Sequence, residues 1–257
     1  MKAIGQILNE GVLVNRQWLN ENGFDRTAID YYMRSKTLKA VCRGVYRKPG
    51  PTLKWQNVVY SLSSLGFSVH VGHMAALQFH GFTHYLELSG AKVISIYCEK
   101  KLPRWTFQIE IKDKLQQVSR NPFSFDITKG IEEVPFGTWD WPVRYSVPER
   151  AFLELLSTVD SPAGIQQADT LFEGAANLRP VIVQEMMEQC GQVKAKRLFL
   201  WLARRHNFPW FKKLDISKID LGKGKRQIVR NGILDKDYLI TIPKEMVNGQ
   251  TASQGFI

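Results

Sequence analysis

The first fifty residues set short apolar helices, a tight turn and a small basic hairpin in an order that few folds accommodate, and the run stops at Pro49-Gly50-Pro51. Ile4, Ile7 and Leu8 form one apolar stripe at helical spacing. Asn15 stands as an N-cap before a helix over 16–22 that ends at Gly23. Gly23-Phe24-Asp25 is then the tight turn, and Asp25 caps a third helix over 26–35 with Ile29, Tyr32 and Met33 turned inward. Its open face carries Arg26, Thr27, Asp30, Tyr31 and Arg34. Extended runs over 38–41 and 45–47 meet at Cys42-Arg43-Gly44, and Lys36, Arg43, Arg47 and Lys48 surround this hairpin with positive charge. The pattern predicts a winged helix-turn-helix, in which an open helix face suits base edges and a basic wing suits phosphate. A plain helical subdomain with solvated charges is the competing reading.

The rest of the chain is much larger. Proline ends strand pairing and glycine frees the backbone, so Pro49-Gly50-Pro51 predicts a boundary between a domain at 1–50 and a second at 52–257. In the second, helices are expected over 55–65, 72–80, 148–157, 164–173, 180–190 and 194–206, several opened by proline or closed by glycine. Runs at 93–98, 105–111, 131–135 and 139–145 have strand composition, 226–230 and 238–243 read as a closing hairpin, and 251–255 reads as a frayed tail. The fold class is therefore α+β, a winged helix plus a larger mixed domain. No apolar run approaches the roughly 20 residues of a membrane helix, and the chain starts on an amphipathic segment with no signal-peptide core, which points to the cytoplasm and to no membrane partner. Cys42, Cys98 and Cys190 are odd in number and widely spaced, so they read as reduced packing residues.

The net charge of +11 is unevenly distributed. Residues 1–50 carry nine basic and four acidic groups, and residues 192–230 carry twelve and two, around a middle of twelve and fifteen. A local excess of this kind marks a surface for phosphate. The second block predicts a basic surface of Lys194, Lys196, Arg197, Arg204 and Arg205 along one helix, with Lys223, Lys225 and Arg226 as a flexible tip. DNA or RNA phosphate is the expected partner, and an ordinary solvated face the alternative.

Catalytic signals are thin. His70, His73, His80 and His84 fall within fifteen residues, but no Asp, Glu or Cys accompanies them, so packing is the expected role and no metal is expected. Glu110-Ile111-Lys112 on an alternating strand matches the tail of a divalent-metal nuclease signature, with only Glu87 or Glu99 to serve as upstream acid. That makes a nuclease using Glu110 and Lys112 the alternative to a non-enzymatic protein. Gly222-Lys223-Gly224-Lys225 lacks the spacing and the following hydroxyl of a phosphate loop, and no cofactor fingerprint is present.

Six motifs in order carry a resemblance: Arg43-Gly44-Val45-Tyr46; Val71 to Leu77 with Gly81 and His84-Tyr85-Leu86; Leu102-Pro103-Arg104-Trp105; Pro148 to Leu156; Lys196 to Leu200; and Leu221 to Arg226. In these the chain resembles the AbiEi family of transcriptional-regulator antitoxins. It departs from them at Lys36-Thr37, where Gly-Trp is usual, and at His73, where a second glycine is common. The resemblance implies a winged helix that represses its own operon at inverted repeats in duplex operator DNA. It also implies a second domain that counters a nucleotidyltransferase toxin, without requiring a stable complex with it.

Overall fold

The computed structural model describes residues 4–82 and 91–248. The His84-Tyr85-Leu86 motif, Glu87 and the 251–255 tail lie outside the described residues. The described chain divides into two compact units, one taking 4–71, 91–118 and 133–145, the other 72–82, 119–132 and 146–248. The architecture is mixed α+β, as the patterning predicts.

The first unit opens with the expected module. α1 (Ile4–Ile7), β1 (Val14–Asn15), α2 (Arg16–Glu21), α3 (Arg26–Arg34), β2 (Lys39–Cys42) and β3 (Val45–Arg47) come in that order. The strands form a sheet in the order β1-β3-β2, both pairings antiparallel. Ile4, Leu8, Val14, Leu19, Phe24, Ile29 and Leu38 close one apolar core between helices and hairpin. The Pro49-Gly50-Pro51 segment lies inside this unit, because the module also packs on the next helix. That helix, α4 (Trp55–Ser64), accepts the Leu13 N–H on Ser61 Oγ at 2.8 Å. Gly11 turns there with φ 84°, so close to Asn57 and Trp141 that a Cβ would lie 2.8 Å from Asn57 Nδ2.

Behind α4 stands a five-stranded sheet built from β4 (His70–Val71), β5 (Val93–Tyr97), β6 (Lys114–Gln117), β7 (Ile131–Phe136) and β8 (Trp141–Ser146), ordered β6-β5-β4-β8-β7. β4 runs antiparallel to β5 and parallel to β8, while β5 and β6 are parallel. Tyr60 stacks on Trp141 with centroids 4.8 Å apart, seating α4 on the sheet. The strand expected over 105–111 is absent. Pro103 instead opens a 3-10 turn over Arg104–Phe107, closed by Thr106 N–H to Pro103 O, and the strand begins later, at Lys114.

The second unit is a helical body around α6 (Pro148–Thr158), against which α5 (His73–Phe79), α8 (Pro180–Gln189) and α9 (Val193–Arg205) pack, with α7 (Pro162–Phe172) on α9. Phe152, Phe172, Phe199, Phe208 and Trp210 form an aromatic chain through its core. The closing hairpin is β9 (Ile233–Asp235) with β10 (Ile240–Ile242), and α10 (Lys244–Asn248) comes after it. The expected strand at 226–230 is replaced. Only Arg226 bridges Ile240; beyond it, Thr241 Oγ1 accepts the Ile228 and Val229 N–H groups and donates to Val229 O, so a side chain stands in for the ladder.

Candidate nucleic-acid interface

Two side-chain caps and one glycine build the helix-turn-helix. Asn15 Oδ1 accepts from Trp18 N–H and Asp25 Oδ1 from Ala28 N–H, each at 2.8 Å, starting α2 and α3. Gly23, with φ 86°, makes the reversal between them, and Phe24 meets Tyr32 edge-on at 5.8 Å to lock the angle. α3 buries Ile29 and exposes Arg26, Thr27, Asp30, Tyr31 and Arg34, with Tyr31 66% exposed. Arg26 and Asp30 approach to 4.0 Å, an exposed pair worth a few tenths of a kcal/mol that leaves the guanidinium available. Lys36 is exposed just past the helix, and Arg43 is exposed at the wing tip beside Gly44, whose φ is 76°. Arg47 departs from the expectation of a free wing cation. It donates to Pro51 O at 2.8 Å and Gly50 O at 3.2 Å, fastening the proline segment to the wing, and Lys48 is half-buried.

The second basic surface is not the exposed helix face expected. Lys196 and Arg197 are buried in α9, at 3% and 2% exposure. Lys194 donates to Val159 O, and burial lowers its ammonium pKa. Arg204 is held by Asp235 and Asp237 over the Tyr238 ring, and Arg205 by Asp169 and Met246 O. α9 is apolar on every side over Leu198, Phe199, Leu200, Trp201 and Leu202, so its cations must find partners inside the body or at its margin. Lys223, Lys225 and Arg226 are exposed as expected.

The histidines separate. His70 stacks on Tyr97 at 5.1 Å; His80 Nε2 lies 3.0 Å from Ser146 O and 3.6 Å from Glu132; and His73 Nε2 lies 2.9 Å from Thr158 Oγ1. Burial pushes His73 down to about 4, with the Glu154 charge opposing. Glu110 and Lys112 are exposed in the bend before β6 and not on a strand, which corrects the alternating-strand reading. Glu110 borders a cleft of about 260 Å³ shared with Lys39 and Arg47 of the wing.

The sequence reading missed a buried ionic network at the head of α6. Glu154, fully buried, accepts from Arg150 Nε at 3.0 Å, Ser146 Oγ at 2.9 Å and His73 N–H at 3.0 Å. Arg150 also donates to Ile127 O and Lys129 O and lies over the Phe123 ring at 4.4 Å. Glu149 takes three bonds from Arg179, at its backbone N–H, Nε and Nη2. Burial raises the Glu149 pKa, but these bonds outweigh it and the net direction is down. The signal was present as an Arg-Glu pair four apart inside an apolar run, Arg150-Ala-Phe-Leu-Glu154.

Two family models match the chain. Residues 1–88 match the N-terminal domain of the AbiEi antitoxin transcriptional regulators, and residues 91–243 match the transcriptional regulator described as the AbiEi antitoxin of a type IV toxin–antitoxin system. No curated protein sequence matches the chain. Among solved structures, the RV2827C protein from Mycobacterium tuberculosis superposes with a TM-score of 0.55 at 15% identity, over 93% of this chain and 89% of that one, a likeness of fold. With the two models together matching 1–88 and 91–243, and so spanning the six motifs, the chain belongs to the AbiEi family of transcriptional-regulator antitoxins of type IV toxin–antitoxin systems.

Proposed function

We propose that this protein is a cytoplasmic repressor of its own operon that reads inverted repeats in operator duplex DNA with α3 and its wing, and that it counters a nucleotidyltransferase toxin. The observation that carries the DNA reading is the α3 surface: Arg26, Thr27, Asp30, Tyr31 and Arg34 exposed on a helix whose opposite side is sealed by Ile29. Tyr31 meets Tyr32 edge-on at 5.4 Å and otherwise stands open between the two arginines, and arginine forks suit the N7 and O6 acceptors of guanine. Arg43 at the wing tip suits the flanking phosphate. The toxin-countering role is supported by the family description of both matched segments. No described helix is long and apolar enough to cross a membrane.

The test is a fluorescence-anisotropy titration on promoter duplex. Arg26→Ala with Arg34→Ala weakens specific binding by about 1–3 kcal/mol for each arginine that pairs with a base, while the melting temperature stays at the wild-type value. Wild-type affinity in the folded double variant removes α3 as the reading helix. Rescue of growth on co-expression with a cognate nucleotidyltransferase toxin tests the second role separately.

A further inference from the structure

Of the exposed cations of the 192–230 block that lie outside α9, three fall within four residues on one loop. Lys223, Lys225 and Arg226 are exposed, and none of them reaches a carboxylate within 4.0 Å among the described residues. The loop that carries them is not the flexible tip its composition predicts. Arg197 donates to the carbonyls of Leu221 at 2.8 Å, Gly222 at 3.0 Å and Gly224 at 2.6 Å, and to Leu239 at 3.3 Å. Gly222 and Gly224 take φ of 61° and 73°, and a Cβ on Gly222 would meet Val193 Cγ2 at 2.9 Å. One buried guanidinium thus sets the loop's shape from within.

This inward pull has an outward consequence. In a trans peptide the N–H points opposite to the C=O. With the carbonyls of Gly222 and Gly224 drawn onto Arg197, the amides of Lys223 and Lys225 face away from it, and neither has an acceptor among the described residues. Gly222 N–H is held by Asp220 Oδ1 at 2.8 Å, which engages the nearest acid. The rim therefore offers two free amides and three cationic side chains on a braced backbone, the arrangement by which successive amides make an anion-binding concavity. The Arg197 pKa is lowered, by burial first and then by the charge of Arg226, so the two guanidinium groups repel.

We propose that the Leu221–Arg226 loop is a preformed phosphate cradle that gives the protein a second, sequence-independent hold on duplex DNA. Duplex DNA is the partner because a chain delivered to DNA by one module presents its other charges to the same polyanion at high effective concentration. In this the proposal rests on the reading of the protein as a DNA-binding regulator.

The test uses the full chain on promoter duplex, unrelated duplex of the same length and single-stranded RNA, each over a range of NaCl. Replacing Lys223, Lys225 and Arg226 together with Gln lowers affinity for both duplexes in the same proportion. It also reduces the slope of log affinity against log salt by roughly 0.9 for each phosphate that the loop no longer neutralises. Removing equal charge from exposed Lys212, Lys213 and Lys236 leaves that slope at its wild-type value. Gly224→Ala, which keeps every charge but strains a position with φ 73°, also weakens both duplexes. A folded triple variant with wild-type affinity and slope on duplex overturns the cradle, as does a loss confined to RNA. Arg26→Ala with Arg34→Ala separates the two readings: it collapses the ratio of promoter to unrelated duplex and spares the loop's share of the slope. If that ratio does not move, the winged-helix reading fails while the cradle stands on its own slope.

Discussion

Lys36 and His73 hold left-handed backbones, with φ of 57° and 58°, at the two positions where the resemblance leads one to expect glycine. A side chain in that region costs about 1–2 kcal/mol for most residues, so each must be kept for a reason other than turn geometry. Lys36 closes α3, its N–H donating to Met33 O while Leu38 N–H reaches Tyr32 O, a helix end that glycine serves best. We expect Lys36→Gly to raise stability by about 1 kcal/mol in urea unfolding while weakening DNA binding. An unchanged affinity would mean that the lysine does not touch phosphate. His73 contributes differently, bonding Thr158 through Nε2 and the buried Glu154 through its N–H. Its pKa in the folded protein, about 4, lies below the ordinary value of 6.5, so its stability contribution is complete above 6.5 and is lost as pH falls through 4. Across that window His73→Gln should lose stability less steeply than wild type. Parallel stability curves for the two proteins would show that His73 does not carry the titration.

At the scale of elements, the weight rests on α6 and α9, whose charged residues face inward. Arg150 is 1% exposed and Glu154 fully buried, so Arg150→Ala removes the guanidinium that faces a buried carboxylate and should destabilise by about 3–5 kcal/mol in denaturant titration. Arg26→Ala, on an exposed face, should stay within about 0.5 kcal/mol. Equal effects would mean that the other partners of Glu154 satisfy it without the guanidinium. The helices were legible because proline starts, glycine stops and the 3.6 period are local properties. The winged helix was legible for the same reason, since both caps act within three residues. The orientation of Lys196 and Arg197 was not, because period alone cannot tell an amphipathic helix from one covered all round; the five apolar residues from Leu198 to Leu202 were the overlooked cue. β6, with the sequence Lys-Leu-Gln-Gln, has almost no strand signature and exists because β5 supplies its ladder, Ile94 facing Leu115. The loop at 221–226 was legible in its charge but not in its shape, which depends on an arginine 24 residues away from Leu221.

At the scale of the whole chain, two cuts compete. Pro49-Gly50-Pro51 marks one, and the gap between the matched family segments, after residue 88 and before 91, marks the other. The sheet order β6-β5-β4-β8-β7 makes them unequal as places to truncate, because β4 at His70–Val71 is the central strand. A fragment of 91–257 loses β4 and α4, leaving β5 and β8 with open edges and Trp141 without Tyr60. A fragment of 52–257 keeps all five strands and gives up the Leu13 bond to Ser61, the packing of Gly11 on Asn57 and Trp141, and the clefts that α2 and the wing share with Ser64, Leu65, Thr52 and Leu53. We therefore expect 52–257 to unfold cooperatively at a reduced midpoint, about 2–4 °C lower for each kcal/mol lost, and 91–257 to aggregate or melt without a transition. In cells the longer fragment should still rescue growth from the toxin while failing to repress the promoter, since the α3 surface is gone. Calorimetry of both fragments decides the fold question. A cooperative 91–257 with an undiminished midpoint would show that the helical body, and not the sheet, is what a truncated chain needs.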